Sequence, residues 1–189
     1  MLFRSAASLY SIDLTTGFAT NLGAVGTATS VTGLAPQLAA SPTGGRTRVI
    51  TLTQDGSALE RISVDNTAPS GTATLRGITV GEILVGIGIR PATGQLFGLG
   101  VNAAADTGTL YLIDPQTGVS TVVGAASSVA FVDAAGAAVD LPPASGAGGG
   151  YGFDFNPTVD RIRVVAGNGL NFRVNPITGL GVEIGRAHV

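Results

Sequence analysis

The sequence predicts an all-β fold, built as antiparallel four-stranded blades of a partial β-propeller, and three observations carry that expectation. A nine-residue motif, Leu9 to Gly17, returns as Leu110 to Gly118 with six positions identical. A proline turn recurs at Ser41-Pro42-Thr43-Gly44, Arg90-Pro91-Ala92-Thr93-Gly94 and Asn156-Pro157-Thr158, each time ahead of a strand-like run. Glycine, 29 of 189 residues, falls between apolar runs without a collagen-like period, as in a chain of many tight turns. Self-similarity at roughly 50 residues marks a repeat array. A β-sandwich or an open β-solenoid is the alternative architecture.

In chain order, residues 9–26 read as the outer half of a blade and 36–78 as a full blade. Residues 84–124 read as a second full blade, 127–150 as an Ala/Gly-rich insertion and 150–182 as an incomplete blade, all within one propeller-like domain, 1–182. The clearest unit predicts strands at Leu84 to Arg90, Gln95 to Val101, Thr109 to Asp114 and Val119 to Val123. Thr47 to Leu52 and Ile162 to Ala166 are the corresponding second strands of its neighbours, and Leu59 to Asp65 and Phe172 to Gly179 are weaker copies of the third-strand motif. Gly86 and Gly88 alternate on an inner strand, with Gly152 aligned to Gly86 and Ala39 to Gly88, as expected where inner strands converge and side chains must be small. Ser127 to Gly150 is small, poorly patterned and read as a mobile linker. A closed propeller needs roughly four to eight blades. The chain is therefore expected to expose sheet surface and to associate or dissolve poorly.

Composition removes several function classes. Apolar residues at 44% against 12% charged give enough burial to fold. All ten positive charges are arginines without a basic patch, and the net charge is −2, so a nucleic-acid partner is not expected. Absence of cysteine excludes disulfides and thiolate chemistry. No apolar run approaches the roughly 20 residues of a membrane-spanning helix. Glu183 to Val189 is the translation of a common short-read sequencing adapter (GAG ATC GGA AGA GCA CAC GTC), so the natural frame is expected to be cut near Val182 and the tail 183–189 to be non-native. That tail holds His188, the one histidine, which removes Ser-His-Asp and ordinary zinc chemistry from the rest.

Polar residues in the motifs divide into turn formers and binding candidates. Asp13, Asp65, Asp114 and Asn175 sit where strands enter turns, and their side chains are expected to cap backbone N–H groups while Gly17, Gly118 and Gly179 supply positive φ. Asp154, Asn156 and Asp160 have the alternation of a calcium loop. Asp160 aligns with Gly45 and Gly94, however, which favours a left-handed turn position, so calcium is the one cofactor kept open and no metal ligand is assigned. Arg90, Asn156 and Ser41 align at the end of the innermost strand, beside a channel mouth. Arg90, Asp154 and Asn156 form the binding set that this position suggests. Arg161 and Arg163 read as surface or ion-paired arginines. No catalytic residue is assigned.

Leu84-Val85-Gly86-Ile87-Gly88-Ile89-Arg90-Pro91-Ala92-Thr93-Gly94-Gln95-Leu96 and Gly152-Phe153-Asp154-Phe155-Asn156-Pro157-Thr158-Val159-Asp160-Arg161-Ile162-Arg163-Val164-Val165 resemble the bacterial family called domain of unknown function 4394, over about Leu59 to Gly179. The resemblance implies a propeller-like, exported protein, extracellular or periplasmic, and brings no activity or catalytic residues with it. The chain departs from the family pattern at the Ala/Gly-rich insertion and at its end. The expected function is a non-catalytic propeller presenting loops to a protein, glycan or cell-surface component. The rivals are a metal-dependent lactonase-like or quinoprotein-like enzyme and a structural repeat of a larger surface protein.

Overall fold

The computed structural model describes residues 8–25, 31–37, 48–63, 66–133, 135–144 and 150–183. Among these residues there are strands and no helix, in sheets that follow one another along the chain. β1 (Ser8–Ile12) and β2 (Ala19–Ala24) form an isolated antiparallel pair. β3 (Val31–Gln37), β4 (Arg48–Thr53), β5 (Ala58–Ser63) and β6 (Asn66–Thr74) form the second unit. β7 (Ile83–Ile89), β8 (Leu96–Asn102), β9 (Thr107–Ile113) and β10 (Ser120–Val122) form the third, with β11 (Val129–Ala130) also paired to β9. β12 (Tyr151–Asn156), β13 (Arg161–Ala166), β14 (Asn171–Val174) and β15 (Gly181–Glu183) form the fourth. Each full unit is a four-stranded antiparallel meander, and the whole is a partial β-propeller.

Burial explains why the strands differ in sequence. β7 and β8 lie between two other sheets and are buried on both faces, so Ile-Leu-Val-Gly-Ile-Gly-Ile and Leu-Phe-Gly-Leu-Gly-Val are unbroken apolar runs. β12 has one covered face: Gly152, Asp154 and Asn156 are exposed while Phe155 is buried, and the strand alternates accordingly. The core lies in the junctions between blades. One cluster joins the second and third blades through Ile50, Leu52, Leu84, Ile87 and Tyr111, and another joins the third and fourth through Phe97, Leu99, Phe155, Val164 and Phe172.

Inner strands β3, β7 and β12 pack side by side, and this decides where glycine is needed. A Cβ on Gly86 would lie 2.6 Å from Phe153 Cβ, and one on Gly33 would lie 3.1 Å from Ile87 Cγ1. The small residues thus receive a large apolar side chain from the next blade. Register sets the equivalence: Gly33 opposes Leu52 just after a bulge, as Gly86 opposes Leu99 just after another. Ala35 is therefore the counterpart of Gly88, and the expected alignment of Ala39 with Gly88 is corrected. The described strands β3 and β4 are separated by ten residues, 38–47, whereas β7 and β8 are separated by six, 90–95. The blade expected from Pro36 accordingly starts at Val31. Ser41 and Gly45, within 38–47, fall outside the described residues, as do Asp65 and His188.

Within 127–150, expected to be a linker, the described residues 127–133 and 135–144 instead contribute to the core. Val129, Phe131 and Leu141 are buried, and Phe131 meets Phe172 edge-on at 4.8 Å. Asp106 Oδ1 accepts the Leu141 N–H at 2.9 Å, and the Tyr151 hydroxyl donates to Pro142 O at 2.7 Å. Burial pushes the Tyr151 phenol well above its usual range. The segment fastens the third blade to the fourth.

Candidate functional site

The turn Asp/Asn-x-x-Thr-Gly forms three times with one geometry. Asp13, Asp114 and Asn175 each accept a backbone N–H two residues on, from Thr15, Gln116 and Ile177 at 2.8, 2.8 and 2.9 Å. Gly17, Gly118 and Gly179 have φ of 74°, 74° and 72°. These backbone hydrogen bonds hold the carboxyls of Asp13 and Asp114 below the usual range. The turn aspartates are thus occupied structurally.

Arg90, at the end of β7, is drawn into a junction between blades. Its Nε donates to Asp160 Oδ1 at 2.9 Å and its Nη2 to Asp160 Oδ2, a bidentate pair reaching from the third blade to the β12–β13 turn of the fourth. Asp160 has φ of 47°, the left-handed conformation expected from its alignment with Gly94. Arg90 holds the Asp160 carboxyl below its ordinary range. Asn156 Oδ1 accepts the Thr158 N–H at 3.0 Å, and Asp154 Oδ1 accepts the Phe155 N–H at 2.8 Å, both exposed on β12. The structure therefore joins Arg90 to Asp160, while Asp154 and Asn156 each accept a nearby backbone N–H. Among the described residues, no group of three or more His, Cys, Asp or Glu side chains is arranged to hold a metal ion. Arg161 Nη1 donates to Asp160 O, and Arg163 Nε to Asn171 Oδ1.

Two further ties were not legible in the motifs. Arg61 of β5 reaches into the third blade, where its Nη1 donates to Pro115 O at 2.8 Å and Gln116 O at 3.2 Å. Glu82 accepts from Thr109 Oγ1 at 2.5 Å and from the buried Tyr111 hydroxyl at 2.7 Å, and the Thr79 N–H donates to that hydroxyl at 2.9 Å. Desolvation first, and then Glu82, push the Tyr111 phenol up.

Among the described residues, a groove of about 680 Å³ lies between the second and third blades. Its walls are Ile50, Ile89, Leu96, Leu112, Ile113 and Val119, and its polar groups are Gln95, Asp114, Thr117 and Thr121. Among the described residues, no aromatic side chain lines it. Each wall residue is unremarkable in sequence. The groove forms where Ile50 of β4 meets residues of the third blade, a juxtaposition that a single-strand motif does not encode.

The chain resembles several solved propellers at low identity. The PQQ-bound aldose sugar dehydrogenase from Streptomyces coelicolor is 14% identical over 92% of this chain and 50% of its own length, with a TM-score of 0.52. YCF48 bound to a D1 peptide is 13% identical over 94% of this chain and 46% of its own, TM-score 0.47. The Cps50 (Swd1) β-propeller domain of Myceliophteria thermophila is 15% identical over 97% and 51%, TM-score 0.46. The chain thus spans about half the length of the propellers it matches, and the likeness is one of fold. No curated protein matches it. The model of the domain of unknown function DUF4394 matches residues 58–186, most of the chain, so the protein belongs to the DUF4394 family.

Proposed function

We propose that the protein is an exported, non-catalytic binding module that seats an apolar segment of a partner protein in the groove between its second and third blades. The observation that carries this reading is the groove's lining, six aliphatic side chains with polar groups confined to a few positions. Aliphatic walls suit a peptide side chain better than a glycan, whose sugar rings are usually held by aromatic stacking. The turn acids and Arg90 are used in capping and in fastening blades, which leaves burial of apolar surface as the main source of affinity. The likeness to the PQQ-bound dehydrogenase is of fold alone, and no residue of this chain is assigned to a quinone or a cation.

The test is selection of a displayed random peptide library on the protein, followed by calorimetry of enriched peptides against wild type and Val119→Lys. Val119 is half-exposed at the groove, so the variant should fold. Apolar-anchored peptides that lose at least tenfold affinity for the variant support the reading. Peptides that bind both proteins equally refute it, and stoichiometric calcium binding by the protein alone would move the assignment toward a metal-centred enzyme.

A further inference from the structure

The groove between the second and third blades carries a charge that its turn does not require. Among the described residues, Asp114 is the single ionisable group in the lining. Its cap uses one oxygen: Oδ1 accepts the Gln116 N–H at 2.8 Å and the Thr117 N–H at 3.4 Å, while Oδ2 takes part in no hydrogen bond or ion pair among the described residues. At the equivalent turn of the fourth blade, Asn175 Oδ1 accepts the Ile177 N–H at 2.9 Å and Gly179 keeps φ at 72°. A neutral amide thus closes the same turn, and the charge of Asp114 is surplus to capping.

The turn that presents this carboxylate is clamped by the second blade. Arg61 Nη1 donates to the carbonyls of Pro115 and Gln116. Gly118 lies so close beneath the end of β6 that a Cβ would come within 2.2 Å of Thr74 O, so this glycine is a socket for the backbone that ends the preceding blade. The Asp114 N–H donates to Val119 O at 2.9 Å, which sets the acid across from one aliphatic wall, and Ile113, paired with Leu96, directly precedes it. The Gln116 N–H first, and then Thr117 and Arg61, hold the carboxyl below its usual range, so it is ionised at neutral pH. A fixed, exposed anion therefore stands beside an aliphatic slot.

We propose that the partner segment seated in the groove carries a lysine or arginine next to its aliphatic anchor, and that Asp114 Oδ2 receives the cation. The inference rests on the groove reading above and adds the partner's charge to it. A free ion would gain little from an exposed carboxylate. A cation tethered to an anchored side chain is held at high effective concentration, and the anchor displaces water from the walls around the pair. The same carboxylate repels segments with an acid at that place, so the charge selects as well as attracts.

The test is calorimetry of peptides enriched in the displayed-library selection, each beside a neutral twin with norleucine for lysine and citrulline for arginine. Wild type is expected to bind the charged peptide about tenfold more tightly than its twin. Asp114→Asn should fold, as Asn175 shows, and should bind the two forms within about twofold of each other. Asp13→Asn makes the same change in the same turn outside the groove and should behave as wild type. Raising salt from about 0.05 M to about 0.5 M should erode the advantage of the charged form and spare the twin, a readout that needs no variant. Peptides that weaken on Val119→Lys, yet bind wild type equally in both forms, overturn the inference and leave the aliphatic groove standing. A preference for the cation that survives in Asp114→Asn also overturns it. A selection that yields no peptide sensitive to Val119→Lys removes the groove reading, and this inference with it.

Discussion

Alanine at Gly118 and alanine at Gly17 form a matched pair that isolates the blade-to-blade socket. Both glycines have φ of 74° and both follow the same capped turn, so the backbone cost of a Cβ is common to them, roughly 1–2 kcal/mol. They differ in surroundings. At Gly118 the new Cβ would stand 2.2 Å from Thr74 O, and at Gly17 it meets nothing within 4 Å among the described residues. Relieving the first contact requires β6 to lift by about an ångström. That movement strains the Arg76 N–H to Gly118 O and Ser120 N–H to Arg76 O hydrogen bonds, both 2.9 Å, each worth about 1 kcal/mol. Gly118→Ala should therefore cost about 3–4 kcal/mol and Gly17→Ala about 1–2 kcal/mol. Urea unfolding followed by circular dichroism, at concentrations where the chain is monomeric, measures both. Equal losses, or a larger one at Gly17, would refute the socket.

Three other substitutions probe different parts of the fold. Phe131→Ala should cost about 3–5 kcal/mol in the same urea experiment, because a fully buried ring against Phe172 is removed; a loss under about 1 kcal/mol would restore the linker reading of residues 127–150. Tyr111→Phe removes the hydroxyl that donates to Glu82 and accepts from Thr79, and should cost about 2 kcal/mol; no change would show that water replaces it. Asp160→Asn keeps a residue that tolerates left-handed φ but removes the charge opposite Arg90. Because the folded carboxyl titrates below its unfolded value, the pair's contribution is present above about pH 4 and lost as pH falls through the folded pKa. The variant's stability should therefore fall less steeply below pH 4 than that of wild type, and identical acid limbs would contradict the pairing.

The architecture was legible where the repeat dictates backbone conformation. The Asp-x-x-Thr-Gly turn announces itself because the side-chain acceptor and the positive φ must occur at a fixed spacing, so Asp114 and Gly118 were readable without their surroundings. The inner-strand glycines were readable as small but not why: Gly86 is small because of Phe153, sixty-seven residues later, and only register supplies that pairing. Ala39 was misaligned because proline turns were matched across a connection of different length. Val129, Phe131 and Leu141 were missed because the alternation of Val129 and Phe131 covers only two core positions and Leu141 stands apart from it, too short a pattern to mark a buried face.

Arg90 stands at the end of an inner strand and also where two blades meet. Proximity to the end of an inner strand suggested binding, yet the same place is where successive blades meet, and a charged side chain there can be satisfied by the neighbouring blade. Its partner lies seventy residues away, in a turn whose own requirement for left-handed φ admits Asp as well as Gly. By the same logic Arg61 is satisfied by the third blade. The groove between the second and third blades, where the walls are aliphatic and Asp114 is already capped, is the better place to look for a ligand.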